Sequence, residues 1–253
     1  MLSGADFYYF SPTGGTKEVG SCFCEEIAEQ VKECNLGNRT ERIADPAEEL
    51  TVVAVPVFGG RIPVYLEEKL AGLKGQGKKA VALVVYGNRA YDDALLELKD
   101  ILTENGFQVI AGGGFVARHS IITEVAAGRP DDEDVKQIKE FAQKVLEKVA
   151  KGIDTEVTVP GNRPYKERNG SPSAPISLEG CDQCGSCEKA CPTGAISIGE
   201  DGVITSQEKC IFCLACTAVC PKNARIMPPA VHEKMSQFLG GLVSVYSKNE
   251  YFL

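Results

Sequence analysis

Two segments of this chain carry one cysteine spacing. Residues 181–192 read C-D-Q-C-G-S-C-E-K-A-C-P, and residues 210–221 read C-I-F-C-L-A-C-T-A-V-C-P. Both are C-x2-C-x2-C-x3-C-P, and the second lies 29 residues after the first. Three thiols two residues apart wrap a tight loop around a common centre and leave a fourth position to be filled from elsewhere in the chain. Gly185, Ser186 and Ala215 sit inside these loops, where the backbone must approach whatever the thiols hold. Pro192 and Pro221 turn the chain after the last cysteine of each set and remove an amide donor.

C-x2-C pairs also bind zinc, but zinc takes four ligands in two pairs, not sets of three plus one closed by proline. A disulfide framework suits secreted chains, and nothing here signals secretion. A [4Fe-4S] cube, with one thiolate per iron corner, fits the spacing. The pattern resembles the cysteine signature of two-cluster bacterial ferredoxins, in which the fourth cysteine of each motif serves the other cluster. The resemblance implies one cube on Cys181, Cys184, Cys187 and Cys220, and a second on Cys210, Cys213, Cys216 and Cys191. Two clusters held this close imply electron transfer more than a structural staple.

The chain has 253 residues, too many for such a module alone. A net charge of −8 argues against nucleic acid or an anionic membrane as the main partner. The first residues lead directly into a strand-like run, without the basic and apolar regions of a signal peptide. No apolar stretch reaches the roughly 20 residues that span a bilayer. A cytoplasmic, reducing location is therefore expected, and it suits Cys22, Cys24 and Cys34 outside the motifs. Cys22 and Cys24 read as small buried hydrophobes of a first helix.

Residues 5–10 (A-D-F-Y-Y-F) form a short apolar run, expected to be a buried strand. Residues 11–16 (S-P-T-G-G-T) form a hydroxyl- and glycine-rich turn. Residues 17–33 then show helical spacing, with Val19, Phe23, Ile27 and Val31 on one face. Strand, turn and helix in this order aim amides and hydroxyls at one spot over the positive end of a helix, a cradle for phosphate. The Walker pattern is absent. Residues 39–43 read as a short edge strand, 50–58 and 79–86 as central buried strands, and 107–117 as a last strand broken at Gly112 and Gly113. Helices are expected over 64–73, to residue 102, and over 132–150. Repeated strand–helix units imply a five-stranded parallel sheet covered on both faces, α/β in class. Glycine-rich loops after Phe10, Phe58 and Tyr86 all fall at its carboxyl end, where such sheets bind ligands.

The first loop resembles that of flavodoxins, [ST]-x-T-G-x-T, matched by Ser11, Thr13, Gly14 and Thr16 with Gly15 in the variable place. The resemblance covers about the first 150 residues and implies FMN, its phosphate held by those five residues. By position, the second and third loops would flank the flavin ring. That makes Phe58, Gly59, Gly60, Gly87, Asn88, Arg89 and Tyr91 candidate contacts, with Gly59-Gly60 at the place where flavodoxins flip a peptide towards flavin N5. Tyr86 is a weaker candidate, and Arg61 could equally be a solvated charge at a helix start. Residues 112–117 (G-G-G-F-V-A) match a dinucleotide fingerprint, but no helix opens from them, so they are discounted. His119, beyond a strand end, is either a proton donor or a loop residue held by hydrogen bonds.

The domains expected are 1–151, flavodoxin-like; 152–176, a Pro/Gly-rich linker read as a solvated tether carrying Arg163, Lys166 and Arg168; 177–229, a small α+β two-cluster ferredoxin domain; and 230–253, a helix and tail. The whole resembles the flavodoxin–ferredoxin fusion proteins of anaerobes. That implies electron transfer between two [4Fe-4S] clusters and FMN, with a redox partner protein or a small electron acceptor. The FMN would lie within tunnelling reach of a cluster in the same chain or in a homodimer mate. The alternatives are an FMN-dependent reductase of a small molecule, assisted by His119, Arg89 or Tyr91, and a module whose clusters sense oxygen.

Overall fold

The computed structural model describes residues 1–40, 43–168, 173–200 and 202–253. The N-terminal unit runs β1 (Leu2–Tyr9), α1 (Gly15–Ile27), β2 (Ala28–Asn35), β3 (Leu50–Pro56), α2 (Tyr65–Ala71), β4 (Lys79–Tyr86), α3 (Ala94–Glu104), β5 (Gln108–Val116) and α4 (Asp132–Ala150). Strands β3 and β4 are apolar nearly throughout because helices cover both of their faces. On one face Phe23 of α1 and Phe141 of α4 pack against Phe115 and Val52; on the other, Leu66 and Leu70 of α2 and Leu95 and Leu98 of α3 cover Val53 and Val84.

The five strands are parallel in the order β5-β4-β3-β1-β2, and the order reverses between β1 and β3. Such sheets open their binding crevice at the carboxyl end beside that reversal. A sixth strand, β10 (Glu250–Phe252), adds antiparallel to the free edge of β5. The sheet is thus six-stranded, and the last residues of the chain shield its edge.

Several boundaries differ from those expected. Helix α1 stops at Ile27, and β2 starts at the next residue, so Val31 belongs to a strand. Only one face of this edge strand packs, so polar residues fill it and the sequence lacks a strand's apolar run. Arg39 and Thr40 form a bend, residues 41–42 lie outside the described residues, and Ile43 is not in a strand. Strand β5 runs unbroken through its glycines because close packing requires them. A Cβ on Gly114 would sit 2.7 Å from the Tyr91 ring, and one on Gly112 3.1 Å from Val159.

The segment 152–168 is no free tether. Val157 and Val159 are buried in the α2/α3 side of the core, and the Val157 amide donates to the Val109 carbonyl at 2.9 Å. Amides of Asn162 and Lys166 donate to the buried Asp93 carboxylate at 2.8 and 2.7 Å. Arg163 pairs with Asp100 at 2.6 Å, and Arg168 pairs with Glu97 and Glu67.

The second unit holds β6 (Ile176–Ser177), α5 (Ser186–Ala190), β7 (Ile196–Gly199), β8 (Gly202–Thr205), α6 (Ala215–Ala218) and β9 (Arg225–Ile226). Strand β6 pairs with β9, and β7 with β8. Helix α7 (Pro229–Leu239) returns to the first unit, where Leu239 is buried against Ile122 and Val125. Among the described residues no helix is long and apolar enough to cross a membrane.

Candidate functional site

The repeat seen in the cysteines is also written in the backbone. Residues of positive φ recur at an offset of 29: Gln183 (55°) with Phe212 (54°), Gly185 (78°) with Leu214 (62°), and Gly194 (65°) with Asn223 (50°). Phenylalanine and leucine adopt this left-handed conformation only at a cost, of order 1 kcal/mol or more. Here it lets each loop coil tightly and turn its sulfurs inward.

The sulfurs line two cavities. Cys181, Cys184, Cys187 and Cys220 surround the first, and Cys191, Cys210, Cys213 and Cys216 the second, each with about 320 Å³ of space between its walls. Each cavity takes three cysteines from one motif and one from the other. Among the described residues no three His, Cys, Asp or Glu side chains converge closely enough for a single metal ion. Four thiols around a larger void suit a multi-iron cube better than a zinc ion.

The walls are mostly apolar, and burial pushes the thiols of Cys187, Cys210 and Cys216 up and that of Cys213 up to about 12. Thiolates in such surroundings need a cation beside them. At Cys220 burial also acts upward, but the amides of Lys222, Arg225 and Ala224 outweigh it and lower the pKa. Cys191 Sγ accepts from the Ala195 amide at 3.2 Å.

The second cavity abuts the first unit. Ile211 and Cys213 pack against the core cluster formed by Leu36, Leu66 and their neighbours. Arg39, in the loop after β2, donates to the Glu188 carbonyl at 3.4 Å. Burial raises the Tyr65 phenol; Arg39 opposes that, while Cys191 and Cys213 add to it. Tyr65 also donates to the Leu36 carbonyl at 3.0 Å.

At the carboxyl end of the large sheet the glycine-rich loops do meet. Gly14, with φ 99°, precedes α1, and the first amides of that helix lack intrahelical acceptors by position. Ser11 Oγ accepts from the Lys17 amide at 2.9 Å. Thr13 and Gly14 are exposed and Thr16 is buried. Phe58 and Arg61 bond to each other across Gly59 and Gly60, whose φ values of 63° and 91° make a tight two-residue turn. The Gly60 carbonyl accepts from the Asp93 amide at 3.0 Å, joining the second loop to the third. A side chain at Gly87 would collide with the His119 ring.

The expected ring contacts divide. Phe58 and Arg89 remain partly or fully exposed, and Arg89 pairs with Asp92. Asn88 and Tyr91 have other partners. The buried Asn88 side chain donates to the Leu242 and Val245 carbonyls at 3.0 and 2.8 Å and accepts from the Ser247 amide. Tyr91 lies against β5 and donates to Glu250 at 2.6 Å. The returning tail therefore claims both side chains. His119 Nδ1 accepts from the amides of Ile121 and Ile122, each at 3.1 Å, and burial lowers its pKa to about 4. It is a neutral loop anchor. Arg61 is buried and paired with Glu97, not solvated.

Residues 180–224 match the family described as the 4Fe-4S dicluster domain. The same region is similar to a subunit of the ion-translocating oxidoreductase complex of Methanosarcina acetivorans, 51% identical over 45 residues, 18% of this chain and 17% of that one. It is also similar to ferredoxin Fdx2 of Sorangium cellulosum, 38% identical over 61 residues, 22% of this chain and 60% of that one. The chain thus spans less than two thirds of either relative. A solved flavodoxin from the domain Archaea aligns over 58% of this chain and 99% of its own at 18% identity, TM-score 0.43.

Proposed function

We propose that this chain, a flavodoxin-like α/β domain joined to a ferredoxin-type domain, passes electrons between two [4Fe-4S] clusters and one FMN and exchanges them with a redox partner protein. The observation that carries the reading is the sorting of eight cysteines into two four-thiol cavities, the second of which adjoins the α/β domain. The clusters supply one-electron steps, and FMN takes up one electron or two. The protein positions these carriers and shapes their surroundings.

For the clusters, the donor set fits. Cys181, Cys184, Cys187 and Cys220 would hold one cube, and Cys191, Cys210, Cys213 and Cys216 the other. Ile196, Phe212, Leu214 and Ala215, all buried, keep water from the second.

For FMN, the fit rests on the first loop. Gly14 has open space where a Cβ would be, and exposed Thr13 lies beside the free amides that open α1. Ser11, Thr13, Gly14, Gly15 and Thr16 would hold the phosphate. Phe58, Gly59, Gly60, Gly87 and Arg89 would edge the ring, with Asn88 and Tyr91 supporting that loop from beneath. The tail over the third loop narrows access to it, which favours a protein partner over a small-molecule acceptor.

Electrons would enter or leave the α/β domain through the second cube, past Tyr65 and the 36–39 loop, leaving the first cube for the partner. Cys184, beside the first cavity, is exposed. Anaerobic rapid mixing with a low-potential reductant tests the function. Cluster bleaching followed by flavin bleaching within one chain is expected, with the second step lost in Cys191→Ala. Flavin reduced at the wild-type rate in a cluster-free protein would contradict the proposal.

A further inference from the structure

Matching the two halves of the ferredoxin-type domain at their 29-residue offset aligns Ala195 with Ala224 and Ile196 with Arg225. At 196 the chain places an apolar side chain, and at 225 an arginine. Both are buried, at 5% and 4% exposure. A buried guanidinium is costly unless something anionic needs it.

The surroundings of Arg225 contain little that offsets its charge. Nη1 donates to Ser177 Oγ at 3.0 Å and Nη2 donates to Thr205 Oγ1. Both partners are neutral hydroxyls. Nε is buried with no acceptor among the described residues. Ser177 and Arg225 line the first cavity, and Thr205 lines the second. The guanidinium is therefore tethered between the two. It lies beside Cys216 of the second set and acts electrostatically on Cys187 of the first and Cys210 of the second. Its own amide reaches the Cys220 sulfur.

We propose that Arg225 is a positioning residue, a fixed positive charge shared by both cysteine-lined cavities that raises the electron affinity of the clusters they hold. The inference rests on the proposed assignment of those cavities to [4Fe-4S] clusters. A cube gains one negative charge on reduction, so a nearby buried cation favours the reduced form. Arginine suits this place because it stays charged in any surroundings. The unpaired Nε–H gives the added charge a donor to meet.

Redox titrations of the anaerobic holoprotein, followed by EPR, test it with Arg225→Gln, Arg225→Met and Arg225→Lys. Full iron and sulfide are expected in each. In the glutamine and methionine variants the reduced-to-oxidised ratio at a fixed poise should fall on the order of tenfold, about 59 mV for a one-electron couple. Lysine keeps the charge and should stay nearer the wild type. Wild-type midpoints in fully loaded glutamine and methionine variants would overturn the proposal. Wild-type protein without iron would instead overturn the cluster assignment. Should the neutral variants fail to load, wild-type protein labelled with ¹⁵N in its arginine side chains decides. Hyperfine coupling of a reduced cluster to a guanidinium nitrogen is expected, and its absence contradicts the role.

Discussion

The Arg61 guanidinium and the Glu97 carboxylate meet in a two-pronged, buried pair: Nε donates to Oε2 at 2.7 Å and Nη2 to Oε1 at 2.8 Å. The same carboxylate accepts from the Ile62 amide at 3.0 Å, and Arg61 Nη1 donates to the Lys166 carbonyl at 2.6 Å. One ion pair thus ties the loop after β3 to α3 and both to the segment leading to the ferredoxin-type domain. Removing one partner leaves a buried charge alone. Glu97→Ala should cost about 3–5 kcal/mol, read as a lower denaturant midpoint. Segment 162–168 should then become open to protease, and unchanged protection there would contradict the clamp.

The first glycine-rich loop is the proposed phosphate cradle. Changing Ser11, Thr13 and Thr16 together to alanine removes three hydroxyls while leaving the cysteine cavities untouched. Extractable flavin should be lost with iron content unchanged. A wild-type flavin complement in this variant would sink the phosphate assignment.

Cross-ligation makes its own prediction. Cys191 follows the first motif in sequence yet lines the second cavity, while Cys220 lines the first. Cys191→Ala should damage the cluster held by Cys210, Cys213 and Cys216, and Cys220→Ala the other. EPR spectra of the two variants should therefore lose different signals. Loss in the opposite sense would show that each motif keeps its own fourth cysteine.

His119 supplies a pH dependence. Burial lowers its pKa from 6.5 to about 4. The folded state holds it neutral, so its contribution is present above pH 6.5 and declines as pH falls towards 4, by up to about 3 kcal/mol. Asparagine retains an acceptor without this titration. Stability curves of the wild type and His119→Asn should diverge between pH 7 and pH 5, the wild type losing more. Parallel curves would place the histidine's proton elsewhere.

What was legible in the sequence follows from what each feature has to satisfy. The cluster loops repeat a covalent requirement, and their spacing survives any packing. Strands β3 and β4 are buried on both faces, so their apolar runs announce them. Strand β2 escaped because its outer face meets water, and because Ile27 and Val31 carry a helical spacing across a junction without a loop. Segment 152–168 looked like a tether because prolines break its periodicity, although V-T-V at 157–159 alternates as a packed strand does. Strand β10 is three residues long and depends on a sheet edge far away in the chain. The claims of the tail on Asn88 and Tyr91 leave no local signal either. The Ile196–Arg225 difference was visible in the repeat, but its meaning depends on where the side chain is buried.

The most direct measurement is the content of iron, acid-labile sulfide and flavin in protein purified without oxygen. The account predicts about eight iron, eight sulfide and one FMN per chain. Iron and sulfide without flavin would contradict it, leaving the cysteine domain as an electron carrier beside an α/β domain of another purpose.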